Sequence, residues 1–386
     1  MIGALTQSVR ALSDRLLGRG EAAITVPVFD GALKSNRWLE DAAVVATLPA
    51  PEDLATDGQS LFIADGLRVL RLDPAQDASG TAEPVELHHF EQPVTALACL
   101  PGGGLAVALG GQTVRVLGGP HDGRRWDSVD GRPLHAVNAL SATADGRLLA
   151  TDGSRDHSPA RWKHDLMTLG CSGRVLELAV AGGGSRELAS GLSHAFGAYV
   201  PQDPAQPSGG ALWVSESWRH RVVAIGTGER AGKPQPVTEA LPGYPSRLSP
   251  AAGGGAWLTC FILRTQLVEF VLREPGFRRR MVEEIDPAYW IAPALNSGNT
   301  FLEPMQGAQL KMMGIVKPWA PPRSYGLVIR LDTQGRILHS LHSRFDGKNH
   351  GVVAALECGD HLYVLAKGSR RLLRLPLAEI GRSPQA

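Results

Sequence analysis

TDGQSLFIADG, from Thr56 to Gly66, is a turn of Asp and Gly, an apolar run, and a second turn. The phrase returns as PGGGLAVALGG from Pro101, ADGRLLATDGS from Ala144 and GGALWVSES from Gly209. It returns again as GGGAWLTCF from Gly253 and GDHLYVLAKGS from Gly359. Each copy reads as a tight turn feeding a buried strand. Copies recur at roughly 40 to 60 residues, with one longer gap before the last, a spacing that marks a propeller or solenoid. A second apolar strand follows most copies: LRVLRLD after LFIA, TVRVL after LAVAL, GRVLELA after LLATD, HRVVAI after LWVSE, RRLLRLPL after LYVLA. Successive antiparallel strands make a meander, and a four-stranded meander is one propeller blade. Runs that are apolar throughout fit sheets covered on both faces. The expected fold is all-β, a six-bladed β-propeller.

Two segments break the rhythm. One is SRDHSPARWKHDLMTLGCSG, residues 154 to 173, inside the third repeat. The other spans about 274 to 322, is expected between the fifth and sixth repeats, and contains the helix-like FRRRMVEEI. Long loops in an economical fold are usually functional, and in a propeller they shape the mouth of the axial channel. At the N-terminus, Ile2, Leu5, Val9, Leu12 and Leu16 fall at helical spacing, so residues 1 to 20 are expected to form an amphipathic helix. Arg10, Asp14 and Arg15 interrupt it, unlike a secretory signal. Residues 21 to 386 are expected to form one propeller carrying both insertions.

Composition narrows the function classes. A formal net charge of +1 gives no global drive toward nucleic acid, and no stretch is apolar enough to span a bilayer. The Arg278–Arg280 cluster reads as a solvated helix face. The four cysteines lie far apart without CxxC spacing, so neither a disulfide framework nor a zinc site is expected, and a reduced, cytoplasmic setting fits. There is no GxSxG elbow, P-loop or HExxH, which removes the common serine-hydrolase, nucleotide and zincin readings.

Several phrases together resemble the strictosidine synthase-like proteins: GLSHAFGAYV from Gly191, ALWVSESWRHRVVAI, ALPGYPSRLSPAAGGGAWLTC from Ala240, and DGKNHGVVAALECGDHLYVLA. That family belongs with the paraoxonase, gluconolactonase and regucalcin-like six-bladed propellers, whose active site lies at one end of the axial channel. In the calcium-dependent hydrolases of the superfamily, carboxylates and Asn side chains from inner strands hold the metal. The resemblance places Glu52 and Asn138 at two ligand positions, making them candidate metal ligands and candidate catalytic groups. The fourth-blade position falls on Phe196 and the fifth-blade pair on Ser246 and Arg247. Calcium takes six to eight oxygens, so the expected cofactor is none, or a residual divalent cation. Plant strictosidine synthases use a sixth-blade Glu, and that position falls on Val353 or a neighbour, with Glu357 matching a non-catalytic Glu.

His135, His194 and His350 lie at the starts of inner strands, where channel-facing residues arise, and His157 and His164 lie in the first insertion. His135, His194 and His350 are candidate general bases for an ester or lactone water. Arg247, Phe196, His194 and Trp218 are candidate substrate-binding residues, with Arg247 either clamping a carboxylate or pairing with Glu52 as a fixed cation. The first expected function is hydrolysis of a small-molecule ester or lactone in the channel. A strictosidine synthase-type bond-forming or lyase-like enzyme without metal, and a non-catalytic ligand- or protein-binding propeller, remain open beside it.

Overall fold

The computed structural model describes residues 26–74, 83–201, 211–226, 234–297, 311–312, 315–316 and 324–380. The helix expected over residues 1 to 20 lies outside them. Six four-stranded antiparallel sheets form six blades, and the molecule is an all-β propeller. The six recurring phrases supply the second strand of each blade: Leu61–Asp65, Leu105–Leu109, Leu148–Asp152, Leu212–Glu216, Ala256–Leu263 and His361–Ala366. The innermost strands are Pro51–Thr56, Val94–Cys99, Val137–Ala142, Ala195–Tyr199, Gly243–Pro250 and Val352–Cys358. Each touches the innermost strand of the next blade, and the sixth touches the first, so the ring closes around an axis. Blade six takes its outermost strand, Ala43–Thr47, from the N-terminal side of the chain, where it pairs with Arg371–Pro376. That exchange ties the two ends of the propeller together.

Strand alternation explains the continuous apolar runs. In blade one, Leu61 and Ile63 pack toward blade six, while Ala64 and half-buried Phe62 pack toward blade two. Six apolar clusters form in this way, corresponding to the six blade interfaces. Burying one such Leu or Ile fully is worth about 1.5–3 kcal/mol. A polar device repeats alongside. The acid ending the second strand of blades one, three and four (Asp65, Asp152, Glu216) accepts the backbone N–H of Ala50, Ala136 or Ser193, which leads into the innermost strand. An Arg at the start of the third strand (Arg68, Arg174, Arg221) pairs with the same carboxylate.

The long insertion departs from the sequence expectation. It lies inside blade five, between Ala256–Leu263 and the third strand Gly326–Leu331, and not between blades five and six. Its helical part begins earlier than residue 274, with helix Gln266–Arg273, N-capped by the Thr265 side chain. Helix Pro275–Glu284 follows. The run GLVIRL looks locally like the opening of a new blade, but it pairs with Ala256–Cys260. Arg280 pairs with Glu284 on the helix surface, as a solvated face would. The first insertion carries the short helix Trp162–Met167 within blade three.

Candidate functional site

The innermost strands of blades one, two, three and six share one irregularity. Their register shifts by a residue at Glu52, Thr95, Asn138 and Val353, and the strands of blades four and five are irregular across Phe196–Gly197 and Ser246–Arg247. A β-bulge re-aims a side chain and leaves a backbone carbonyl outside the ladder. Here the bulges turn one side chain per blade toward the axis, and four freed carbonyls converge there.

Arg247 fills the centre of that ring. Its Nη1 donates to the carbonyls of Glu52 (2.9 Å) and Val353 (3.3 Å), and its Nη2 to those of Thr95 (2.9 Å) and Asn138 (2.6 Å). Nε lies 2.9 Å from Asp53 Oδ1 as an ion pair, although the angle is too poor for a hydrogen bond. The ring of Phe196 lies 5.1 Å from the guanidinium, a cation–π contact. Asp53 also accepts the N–H groups of Leu54 (2.8 Å) and Leu97 (2.9 Å). Burial nevertheless outweighs Arg247 and these bonds, and pushes the Asp53 carboxyl up to about 6.

Arg247 therefore does not reach out to clamp a carboxylate. It is the fixed cation of the channel, held chiefly by carbonyls, with Glu52 Oε1 a distant 3.9 Å away. The donor set does not fit calcium. The converging oxygens already serve a guanidinium, and no carboxylate or amide comes from blades four and five. No group of three or more potential ligand side chains gathers anywhere among the described residues.

Arg247 separates two cavities. One, of about 180 Å³, opens among the later residues of the innermost strands. The other, at the end where those strands begin, is only about 30 Å³, room for one or two waters. Its polar lining is Glu52, Thr95, Asn138, His194 and Lys367. Phe196, Phe261, Val353, Trp162, Pro159 and Leu295 make it apolar elsewhere, the last three contributed by the two insertions. The insertions also meet each other, with His164 edge-on to Trp290 at 4.7 Å.

His194 is the side chain best equipped for chemistry. Its backbone lies in the left-handed region (φ 57°), a strained state for a non-glycine residue that tends to mark functional sites. Nδ1 lies 3.1 Å from Asp165 Oδ2. A carboxylate can only accept, so Nδ1 carries a proton, and in the neutral ring the lone pair is then on Nε2. No protein hydrogen bond occupies Nε2 among the described residues. Trp218 stacks on the ring at 4.3 Å and donates its Nε1 to Asp165 Oδ2 (2.7 Å), while Ser154 Oγ donates to Oδ1 (2.6 Å). Burial works to raise the Asp165 carboxyl, but the bonds and charge of His194, with Ser154 and Trp218, overcome it and hold the pKa below the usual value. Two glycines make the fit possible. A Cβ on Gly170 would lie 2.2 Å from Asp165 Oδ1, and one on Gly153 would lie 2.5 Å from Asn138 Nδ2 and 3.1 Å from His194 Cε1.

The other expected residues are placed as follows. Glu52 lines the cavity and is tied to Lys367 Nζ. Asn138 also lines it, but its amide donates to the Ala195 carbonyl (3.0 Å) and accepts the Thr151 hydroxyl (2.7 Å), a strand-joining role. His350 does not line it: Nε2 lies 2.7 Å from the Arg344 carbonyl and Nδ1 3.4 Å from Ser297 Oγ. His135 precedes the lining residue Ala136 and does not itself line the cavity. Trp218 backs His194 from outside the cavity, and Phe196 lines it. Sequence reasoning missed Asp165 and Lys367.

No family model matches the chain. The adipocyte plasma membrane-associated proteins of Salmo salar and Danio rerio are 27% and 25% identical to it over 259 residues, 65% of this chain and 54% of each of theirs. The chain thus spans about half the length of the curated relatives it matches. A gluconolactonase from Xanthomonas campestris has a similar solved structure, with a TM-score of 0.54 at 15% identity, covering 91% of this chain and 95% of that one. A calcium-binding regucalcin from Agrobacterium tumefaciens matches with a TM-score of 0.50 at 12% identity, covering 86% and 92%. At such identities the likeness is one of fold alone, a six-bladed propeller.

Proposed function

We propose that this propeller hydrolyses small esters or lactones, and that His194 rather than a bound metal activates the water. The carrying observation is the Asp165–His194 pair: the histidine lines a cavity with room for one or two waters, and its Nε2 has no protein hydrogen bond among the described residues. Nε2 removes a proton from water as the oxygen adds to the acyl carbon. Asp165 holds the tautomer and stabilises the imidazolium that forms. When the tetrahedral adduct collapses, the C–O bond breaks and the departing alkoxide takes the proton back from Nε2. For a lactone the product is the ring-opened hydroxy acid. The bond-forming alternative is less well served, since the resemblance puts the plant enzymes' Glu at Val353 or a neighbour, and no residue of VVAAL, 352 to 356, offers an amine a base.

The cavity takes only water, so the acyl group is placed at its mouth beside Lys367, and the committed lining groups limit what can bind there. Thr95 Oγ1 donates to the Val137 carbonyl (2.7 Å), Asn138 joins strands, and Glu52 holds Lys367. A polyhydroxylated ring would leave most of its hydroxyls without partners, at about 1–3 kcal/mol for each buried one. Apolar esters and lactones are therefore expected to outrun gluconolactone by about 10²-fold or more in kcat/KM. The test is a panel of both kinds assayed with and without a chelator. Turnover of apolar substrates that survives chelation supports the proposal. Turnover abolished by chelator and restored by calcium would overturn the role given to His194. Within the site, Gly153→Ala is expected to displace the imidazole and lower kcat/KM at least about 10-fold, since misplacement of a reacting group by about 1 Å costs that much or more. A variant as active as the parent would show that the close approach of Gly153 to His194 is immaterial.

A further inference from the structure

Hydrolysis by His194 develops a negative charge on the former carbonyl oxygen, and a preorganised donor at that atom is commonly the largest single contribution to rate. Most donors around the cavity are already committed. Arg247 has five N–H groups; four meet the carbonyls of Glu52, Val353, Thr95 and Asn138, and the fifth faces Asp53. The Thr95 hydroxyl donates to Val137, and the Asn138 amide is held by Ala195 with the backbone of Gly153 closed against it. Lys367 is different. Its ammonium has three N–H groups and one protein partner among the described residues, Glu52 Oε2. It lines the cavity with its side chain one-third exposed.

The local sequence explains its position. Lys367 is the first residue after the second strand of blade six, at the channel mouth, where Gly351 and Gly368 let the backbone pass tightly under the insertion. A Cβ on Gly368 would lie 2.1 Å from the Leu295 carbonyl, and one on Gly351 would lie 2.8 Å from it. The first four copies of the repeat carry Gly66, Gly110, Gly153 and Ser217 at the place where this one carries Lys367.

Resting on the hydrolase reading above, we propose that Lys367 is the catalytic electrophile: its ammonium, anchored by Glu52, donates to the substrate carbonyl oxygen and stabilises the oxyanion of the tetrahedral adduct. No proton leaves Lys367 during the step. The charge it stabilises disappears when the carbonyl re-forms and the C–O bond breaks. The same free N–H groups make the mouth a binding place for a small carboxylate, the product's own functional group.

Lys367→Met keeps most of the unbranched stem of the side chain and removes its ammonium. Its kcat/KM on an apolar ester should fall about 10²-fold, mainly through kcat. Ethylamine added to Lys367→Ala should restore part of the rate, which a purely structural role would not produce. A second arm measures benzoate binding calorimetrically, with a melting curve confirming the fold; Lys367→Met should bind at least about 10-fold more weakly. Unchanged kcat/KM in a folded Lys367→Met overturns the proposal, as does a rate loss with no amine rescue and unchanged benzoate binding. If the parent protein hydrolyses no ester or lactone, the hydrolase reading fails by itself. Benzoate binding then decides the anion site: dependence on Lys367 sustains it, and equal binding by the variant removes it.

Discussion

Replacing His194 with alanine is expected to lower kcat/KM for ester hydrolysis by about 10³-fold, within the range a positioned general base contributes. Asp165→Asn should lose about 10²-fold or more. Asp165 accepts three hydrogen bonds, from Ser154, His194 and Trp218. An asparagine amide has one oxygen and turns an N–H toward at least one of those donors, so the imidazole loses its orientation and its counter-charge together. The loss should appear mainly in kcat, because neither atom is needed to hold an apolar acyl group. Stability should respond separately. The Asp165 carboxyl is held below its usual pKa, so its contribution is present above the ordinary carboxylate range and disappears as pH falls through the folded value. Asp165→Asn should therefore flatten the acid side of the stability profile while its activity at neutral pH stays reduced. Folded His194→Ala protein with parental turnover would remove this base from the mechanism.

The scaffold was legible because the repeated phrase is a covalent record of blade geometry: turn, buried strand, turn. Each apolar run is doubly covered, as Leu61 and Ile63 on one face and Ala64 on the other illustrate. Partner choice was less legible. GLVIRL has the local character of any inner strand, and only the sheet register identifies it as the third strand of blade five. The axial positions Glu52, Asn138, Phe196 and Arg247 could be located from aligned copies because a backbone irregularity recurs at the same point in each blade. What those side chains do was not readable. Arg247 is defined by four backbone carbonyls, and carbonyls leave no trace in a sequence. The partners of His350, the Arg344 carbonyl and Ser297, were unreadable for a similar reason. Asp165 sits on a short helix between the second and third strands of blade three, where blades one, two and six have only a tight turn, and its partner lies 29 residues further on. Lys367 did carry a signal, a cation where the first four copies have Gly or Ser, which becomes visible once the copies are superimposed.

Substituting the axial arginine should produce the largest loss of stability. Arg247→Met removes one guanidinium from four carbonyls and Asp53, all buried, and such a loss typically costs about 3–5 kcal/mol through the groups left behind. Arg247→Lys should recover only part, because three N–H groups on a single nitrogen cannot span a ring that the planar fork satisfies from both Nη atoms. The sign of the pH dependence follows from Asp53. Its pKa is raised to about 6 by burial, with Arg247 the leading opposing influence. An acid whose folded pKa exceeds its unfolded value makes the folded state bind protons more tightly, so stability falls as pH rises through the window between the two. Without Arg247 the Asp53 pKa moves higher and the window extends upward. The deficit of Arg247→Met should therefore be smaller at pH 5 than at pH 8 in urea denaturation, and Asp53→Asn in the same chain should return part of the stability at pH 8. A deficit below about 1 kcal/mol that does not change with pH would mean that water replaces the guanidinium among the carbonyls. In that case the plug would serve to close the channel between its two cavities rather than to hold the blades together.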